Sequence, residues 1–194
     1  MKSVCVYCGS SPGHRPEYAE AARALGRTMA EQGLALVYGG GNVGLMGIVA
    51  DSVLAHGGTA IGVIPDALMQ KEVGHRGLTE LHVVRNMHER KQMMADRADA
   101  FIAMPGGVGT FEELFETFTW AQLGYHDKPV GLLNVAGFYD GMLAFLGHAV
   151  GEGFLKQVHA DMLHVADTPA ALLGKLAAAP RVVVDKWQEK RGET

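Results

Sequence analysis

Cysteine is scarce in this sequence: Cys5 and Cys8 are the two it has. That is too few for a disulfide framework and makes the cytoplasm the expected compartment. Long apolar runs are missing too. No stretch reaches the roughly 18 consecutive apolar residues of a membrane helix. The apolar start of MKSVCVYCGSS soon runs into a Gly/Ser turn, so it reads as a strand and not as a signal peptide. A basic excess is absent: 17 Lys and Arg stand against 21 Asp and Glu, a formal charge of −4. Nucleic acid is therefore not an expected partner, because a duplex usually needs a positive face. Metal-ligand spacing is lacking among the nine histidines. HERKQ, His88 to Gln92, breaks H-E-x-x-H at its last position, and His159 and His164 have no third ligand at a suitable spacing, so no metal is expected. Cys5 and Cys8 form C-x-x-C, but redox chemistry wants that pair at a helix start. Val4–Tyr7 reads as a buried strand, on which residues three apart face opposite ways, so two packed thiols are expected.

What is present is alternation. Short runs rich in Val, Ile and Ala occur at Val4–Tyr7, Ala35–Tyr38, Ala60–Ile64, His82–Val84, Ala100–Ala103, Val130–Leu133 and His164–Ala166. Helical patterns lie between most of them, at Glu17–Gln32, Gly44–His56, Met87–Asp96, Thr110–Leu123, Phe138–Glu152 and Pro169–Ala178. Repeated strand–helix–strand units predict an α/β fold, a doubly wound parallel sheet with helices on both faces. With no repeat and no linker, residues 1–180 read as one domain and 181–194 as a polar tail; 65–80 is the longest segment without a clear period.

Ligands of a parallel sheet bind outside the carboxyl ends of its strands. YCGSSPG, Tyr7 to Gly13, follows the first strand, and its small residues, Ser10 and Ser11 included, let a ligand approach the backbone; an ordinary turn fits them equally well. YGGGNVGLMG, Tyr38 to Gly47, satisfies G-x-G-x-x-G with Gly39, Gly41 and Gly44. It follows the second strand, however, and the acid expected further on is at best Asp66, displaced behind Pro65. The match is weak for a dinucleotide and better for a phosphate or nucleotide near Gly40, Gly41 and the helix start.

MPGGVGTFEELFE, Met104 to Glu116, joins glycines to acids. Glycines permit close approach, and free N–H groups at a helix start cradle an anion. No lysine completes a Walker loop, so ATP hydrolysis is not expected. Thr110 and Glu113 also fit a capping box, which would explain the acid without any function. VVRNMHERKQMM, Val83 to Met94, has Asn86 as an N-cap, yet Arg85, His88, Arg90 and Lys91 crowd that helix start beside Met87. Each cation there opposes the macrodipole at roughly 0.3–1 kcal/mol. A bound anion would offset the conflict, so two adjacent strand ends are expected to supply glycines with acids, and cations, around one ligand.

PGGVGTFEE matches P-G-G-x-G-T-x-x-E and MHERK matches M-H-x-R-K; CGSSPG, KEVGH and WAQLGYHDKPVGLLN extend the likeness from about Val4 to Asn134. The sequence resembles the cytokinin riboside 5′-monophosphate phosphoribohydrolases, the LOG (LONELY GUY) family, whose members are often mislabelled lysine decarboxylases. The resemblance implies a Rossmann-like homodimer, without cofactor, that hydrolyses the N-glycosidic bond of an adenine-type nucleoside 5′-monophosphate to free base and ribose 5-phosphate. It places the catalytic pair on Arg90 and Glu113. Ligand contacts fall on Glu72, Arg90, Lys91, Gly106, Gly107, Val108, Gly109, Thr110, Phe111, Glu112 and Thr119. Helix spacing puts Glu113 and Glu116 on one face and Glu112 about 100° round. The alternatives are a general AMP nucleosidase and a non-catalytic nucleotide or molybdenum-cofactor carrier. A lysine decarboxylase would need a cofactor such as pyridoxal phosphate on a supported lysine, and Lys91 reads better as an anion contact. For the dimer, Met87, Met93, Met94, Phe111, Leu114, Phe115, Phe118, Trp120 and Leu123 offer more apolar surface than one face buries, although core packing accounts for them about equally well.

Overall fold

The computed structural model describes residues 1–69 and 74–181. Seven strands, β1 (Ser3–Tyr7), β2 (Ala35–Tyr38), β3 (Ala60–Pro65), β4 (Glu80–Val84), β5 (Ala100–Ala103), β6 (Val130–Leu133) and β7 (Leu163–Ala166), form one sheet in the order β4-β3-β2-β1-β5-β6-β7. Every pairing is parallel. Strands covered on both faces need near-continuous apolar sequence, and β2, β3, β5 and β6 are buried along almost their whole length, whereas the edge strand β4 is largely half-exposed.

Alternate residues feed two cores. Val4 and Val6 pack with Leu25 and Met29 of α1 (Pro16–Glu31), Val49 of α2 (Gly44–Ala55) and Leu172 of α8 (Pro169–Ala178). Cys5 and Tyr7 pack on the other face with Met94 of α4 (Met87–Asp96) and with Leu114 and Phe118 of α5 (Val108–Gln122). Each fully buried side chain of this size contributes about 1.5–3 kcal/mol. Cys5 and Cys8 are buried in opposite cores, and burial pushes both thiols up, as inert packed groups require. Pro16 opens α1 and Pro169 opens α8, where a missing N–H costs nothing. The segment after β3 contains a short helix, α3 (Asp66–Met69). Beyond β6 lie a 3₁₀ turn at Val135–Gly137, then α6 (Asp140–Gly151) and the unforeseen α7 (Gln157–Ala160).

Two expectations are corrected. β4 and β5 are not adjacent: β3, β2 and β1 lie between them. The chain winds out from β1 to the β4 edge, and α4 carries it back under the sheet to β5, so α4 and α5 become neighbours although their strands do not. Nor do Thr110 and Glu113 form a capping box. The N-cap of α5 is Gly107, without any side-chain cap bond, and Thr110 lies within the first turn. The apolar residues of α4 and α5 divide: Met94, Leu114 and Phe118 are buried, Met87 and Phe115 are exposed, and Met93, Phe111, Trp120 and Leu123 lie between these extremes. Glu72 and the tail beyond Arg181 lie outside the described residues.

Candidate active site

The strand order reverses between β1 and β5, and three strand-end loops meet there. Gly9 donates to Pro105 O at 3.1 Å, and Leu45 donates to Gly9 O at 3.0 Å. This backbone-to-backbone packing needs glycine at two points. A Cβ on Gly106 would sit 2.2 Å from Thr110 Oγ1 and 2.8 Å from Gly9 N; one on Gly44, at φ +56°, would sit 2.3 Å from the Ser10 carbonyl carbon. The resulting crevice encloses about 240 Å³ and is lined by Ser10, Ser11, Gly106 and Gly107, with Tyr18 and Phe138 as its aromatic wall. The first-turn N–H groups of α5, on Val108, Gly109 and Thr110, have no intrahelical acceptor. They lie at the positive end of a 15-residue helix, a setting that favours an anion.

The cations of α4 have found partners. Asn86 Oδ1 accepts from Glu89 N at 3.0 Å, and the Glu89 carboxylate accepts from Arg85 N and pairs with its guanidinium. Arg90 is buried: its Nε donates to Val63 O at 3.2 Å, and its Nη1 donates to Glu113 Oε1 at 2.8 Å. Lys91 Nζ donates to Glu112 and Glu116 at 2.8 and 2.9 Å. The acids of α5 therefore offset the positive charge of α4, where the sequence led to the expectation of a bound anion. His88 stays exposed.

Glu113 is buried with Arg90, and burial raises its carboxyl above the ordinary value despite the attraction of the guanidinium; the charge of Glu112 raises it further. Desolvation outweighs the ion pair because the pocket removes more hydration than one 2.8 Å contact restores. Lys91 is the reverse case: burial pulls its ammonium down, but the hydrogen bonds it donates to Glu112 and Glu116, with their charge, outweigh that and hold it up.

The remaining predicted residues divide. Thr110 is buried beside Gly106, Gly40 and Gly41 are buried, and half-buried Phe111 packs against Phe138 and Tyr139. Val108, Gly109, Glu112, Thr119, Ser10, Ser11 and Met87 are exposed. Thr119 lies on a different face of α5 from Glu113 and is not brought to the Arg90–Glu113 pair within one chain. Sequence reading misses Tyr7 and Thr117. The Tyr7 hydroxyl and Thr117 Oγ1 share a hydrogen bond of 2.9 Å that pins the α5 turn after Glu113 to β1. The i, i+4 spacing of Glu113 and Thr117 was the available signal. Gly39 also has a part beyond the glycine motif: a Cβ there would lie 2.1 Å from Arg90 Nη2, so its bareness makes room for the guanidinium. Among the described residues no group of three His, Cys, Asp or Glu could hold a metal ion.

Fold and site define a Rossmann-like α/β domain with a glycine-lined helix start at its switch point and a buried acid–guanidinium pair whose acid lies on the same helix. Residues 46–176 match the family model described as "Possible lysine decarboxylase". The chain is 52% identical over 176 residues to the cytokinin riboside 5′-monophosphate phosphoribohydrolase LOG of Oryza sativa subsp. japonica, covering 91% of this chain and 73% of that one. It is 50% identical to LOG7 of Arabidopsis thaliana, another cytokinin riboside 5′-monophosphate phosphoribohydrolase, covering 91% and 81%. Among solved structures, the molybdenum cofactor carrier protein of Chlamydomonas reinhardtii superposes with a TM-score of 0.71 at 22% identity, covering 92% of this chain and 99% of that one, a likeness of fold alone. The chain belongs to the LOG family of cytokinin riboside 5′-monophosphate phosphoribohydrolases.

Proposed function

We propose that this protein hydrolyses the N-glycosidic bond of adenosine 5′-monophosphates, N6-modified ones included, releasing free base and ribose 5-phosphate. The observation that carries the reading is the buried Arg90–Glu113 pair next to the glycine cradle, in a chain half-identical to enzymes named for that reaction. The 5′-phosphate sits on the first-turn N–H groups of α5 and on Thr110, with Lys91, held by Glu112 and Glu116, as a further contact at the same end of the site. Glu113, ionised, faces C1′. Its carboxylate stabilises the positive charge that grows on the ribose as the bond to the base breaks, in the way glycosidases stabilise an oxocarbenium-like transition state. It also accepts a proton from the attacking water, for which an elevated carboxyl pKa is suited. The water oxygen joins C1′ as the C1′–N bond breaks; the departing ring nitrogen takes up a proton from solvent, and Glu113 returns to solvent the one it accepted. Arg90 holds Glu113 in place and supports the leaving base or the phosphate. No cofactor is needed.

The exposed stripe of α5, Val108, Glu112, Phe115 and Thr119, supports a homodimer, because Thr119 then meets a substrate supplied across the interface. Residues 1–180 act as one domain, in the cytoplasm. No described helix is long and apolar enough to cross a membrane. A carrier on the same fold would bind a nucleotide and release nothing. The test is a panel of nucleoside 5′-monophosphates, AMP against N6-prenylated AMP, scored by released base. Release from AMP alone assigns a general AMP nucleosidase. No release from any member overturns the hydrolase reading.

A further inference from the structure

His75, in the segment after α3, makes more fixed contacts than a loop histidine needs. It is 7% exposed. Its Nε2 lies 2.8 Å from Asp51 Oδ1 on α2, and its Nδ1 accepts from Gly77 N at 3.2 Å, which puts the ring proton on Nε2. Its backbone N–H donates to Gly40 O at 3.0 Å, and next to it Gly74 pairs with Gly41 in an antiparallel bridge. One residue thus ties together α2, its own turn and the glycine loop after β2.

That loop backs onto the catalytic pair. Gly40, at φ +74°, is pressed against Val63 and Ile64 of β3, and Gly39 leaves only the room that the Arg90 guanidinium fills. Arg90 in turn donates to Val63 O and to Glu113. The guanidinium lies against the Gly39 backbone, β3 and the carboxylate, and Gly40, next in the chain, is seated on β3. The carbonyl and the carboxylate engage Nε and Nη1; the Gly39 backbone closes the side on which Nη2 lies.

We infer that His75, oriented by Asp51, is a positioning residue that acts through Gly39 and Gly40 to hold Arg90 against Glu113. For its kinetic arm the inference rests on the hydrolase reading above; its spectroscopic arm does not. Without the His75 clamp, Arg90 departs from its productive pose, and displacement of about 1 Å at a reacting group can cost up to a hundredfold in rate.

The test uses the full chain and the variants His75→Ala, His75→Gln, Asp51→Ala and Asp51→Asn. The Asp51 side chain is 66% exposed, so its variants fold whatever His75→Ala does. Two quantities are read: kcat and KM with AMP, and the NMR signal of the Arg90 Nε–H, assigned by its loss in Arg90→Lys. The expected result is a kcat lowered about tenfold to a hundredfold in His75→Ala and Asp51→Ala, with KM shifted far less. Asp51→Asn, which keeps an acceptor oxygen for Nε2–H, and His75→Gln, which keeps a donor to Asp51, recover most of that loss. The double variant is no worse than the worse single one, as one shared contact requires. In wild type the Arg90 Nε–H signal is sharp and slow to exchange; in both alanine variants it broadens or exchanges faster. An unchanged Arg90 signal in Asp51→Ala overturns the inference, as does a loss of thermal stability alone with kcat intact. If the wild-type protein releases no base from any nucleotide, the hydrolase reading fails and the Arg90 signal alone decides this one.

Discussion

The two parts of the candidate site are made from different material. The cradle between β1 and β5 is mostly backbone: glycines packed on glycines, free N–H groups and a half-open crevice. The Arg90–Glu113 pair is made of side chains, buried, with Arg90 bonded through Nε to Val63 O and through Nη1 to Glu113 Oε1. A backbone cradle suits an anion that is charged before, during and after the reaction, since its donors need not change. A desolvated carboxylate suits charge that appears only at the transition state, where low dielectric makes it count most. The proposed reaction thereby divides binding and chemistry between different atoms, and substitutions can separate them.

The sharpest break is Glu113→Gln. Shape and hydrogen bonding are nearly kept and charge is lost, so kcat should fall by about 10²–10⁴, the scale of a positioned acid–base group, while nucleotide affinity measured by calorimetry holds. Near-normal turnover would leave the buried pair with no part in the chemistry. Removing the other partner of the comparison comes next. Adenosine in place of AMP forfeits several charge-assisted bonds of about 1.5–3 kcal/mol each, so kcat/KM should drop by at least ~10³. Comparable rates for nucleoside and nucleotide would sink the phosphate assignment of the cradle.

Gly39→Ala probes the seam between the two parts. Its Cβ meets Arg90 Nη2, the tip of a flexible side chain, and not backbone, so Arg90 yields before the fold does. The rate should fall about tenfold to a hundredfold with little change in melting temperature; an unaltered rate would show that the pose of Arg90 is unimportant. The smallest effect concerns pH. Burial holds the proton on Glu113 to a higher pH than on free glutamate, and the proposed reaction uses the ionised form. Activity should therefore fall, on acidification, at a pH above the ordinary carboxylate range. Glu112→Gln removes a charge that raises Glu113, so the acid limb of kcat/KM against pH should move down; an upward shift contradicts the arrangement. The sign for stability is opposite: a raised folded value favours folding at low pH, and that contribution is lost as pH rises through it.

Much of the fold is legible in the order of the amino acids alone. Every predicted strand is present, most within a residue or two, because a strand buried on both faces must be apolar throughout and that pattern is local. Asn86 and Glu89 cap α4 as their spacing implies, since capping reaches only three residues. The glycine loops are legible for the same reason.

The sequence by itself thus determined the strands and most of the helices, the fold class, the glycine loops at the strand ends and the charged residues that follow them. Only the tertiary structure decided the rest: that β4 lies at an edge far from β5, that Gly107 rather than Thr110 starts α5, and that Glu113 is spent on Arg90 while Glu112 and Glu116 answer Lys91. It also joined His75 to Asp51 and set Gly39 against Arg90. The reason is physical. Strand and helix periodicity follow from contacts a few residues apart, but which carboxylate meets which cation depends on how the helices cross the sheet. That crossing is selected by burying both faces of the sheet at once, a condition that belongs to the whole chain and to no short stretch of it.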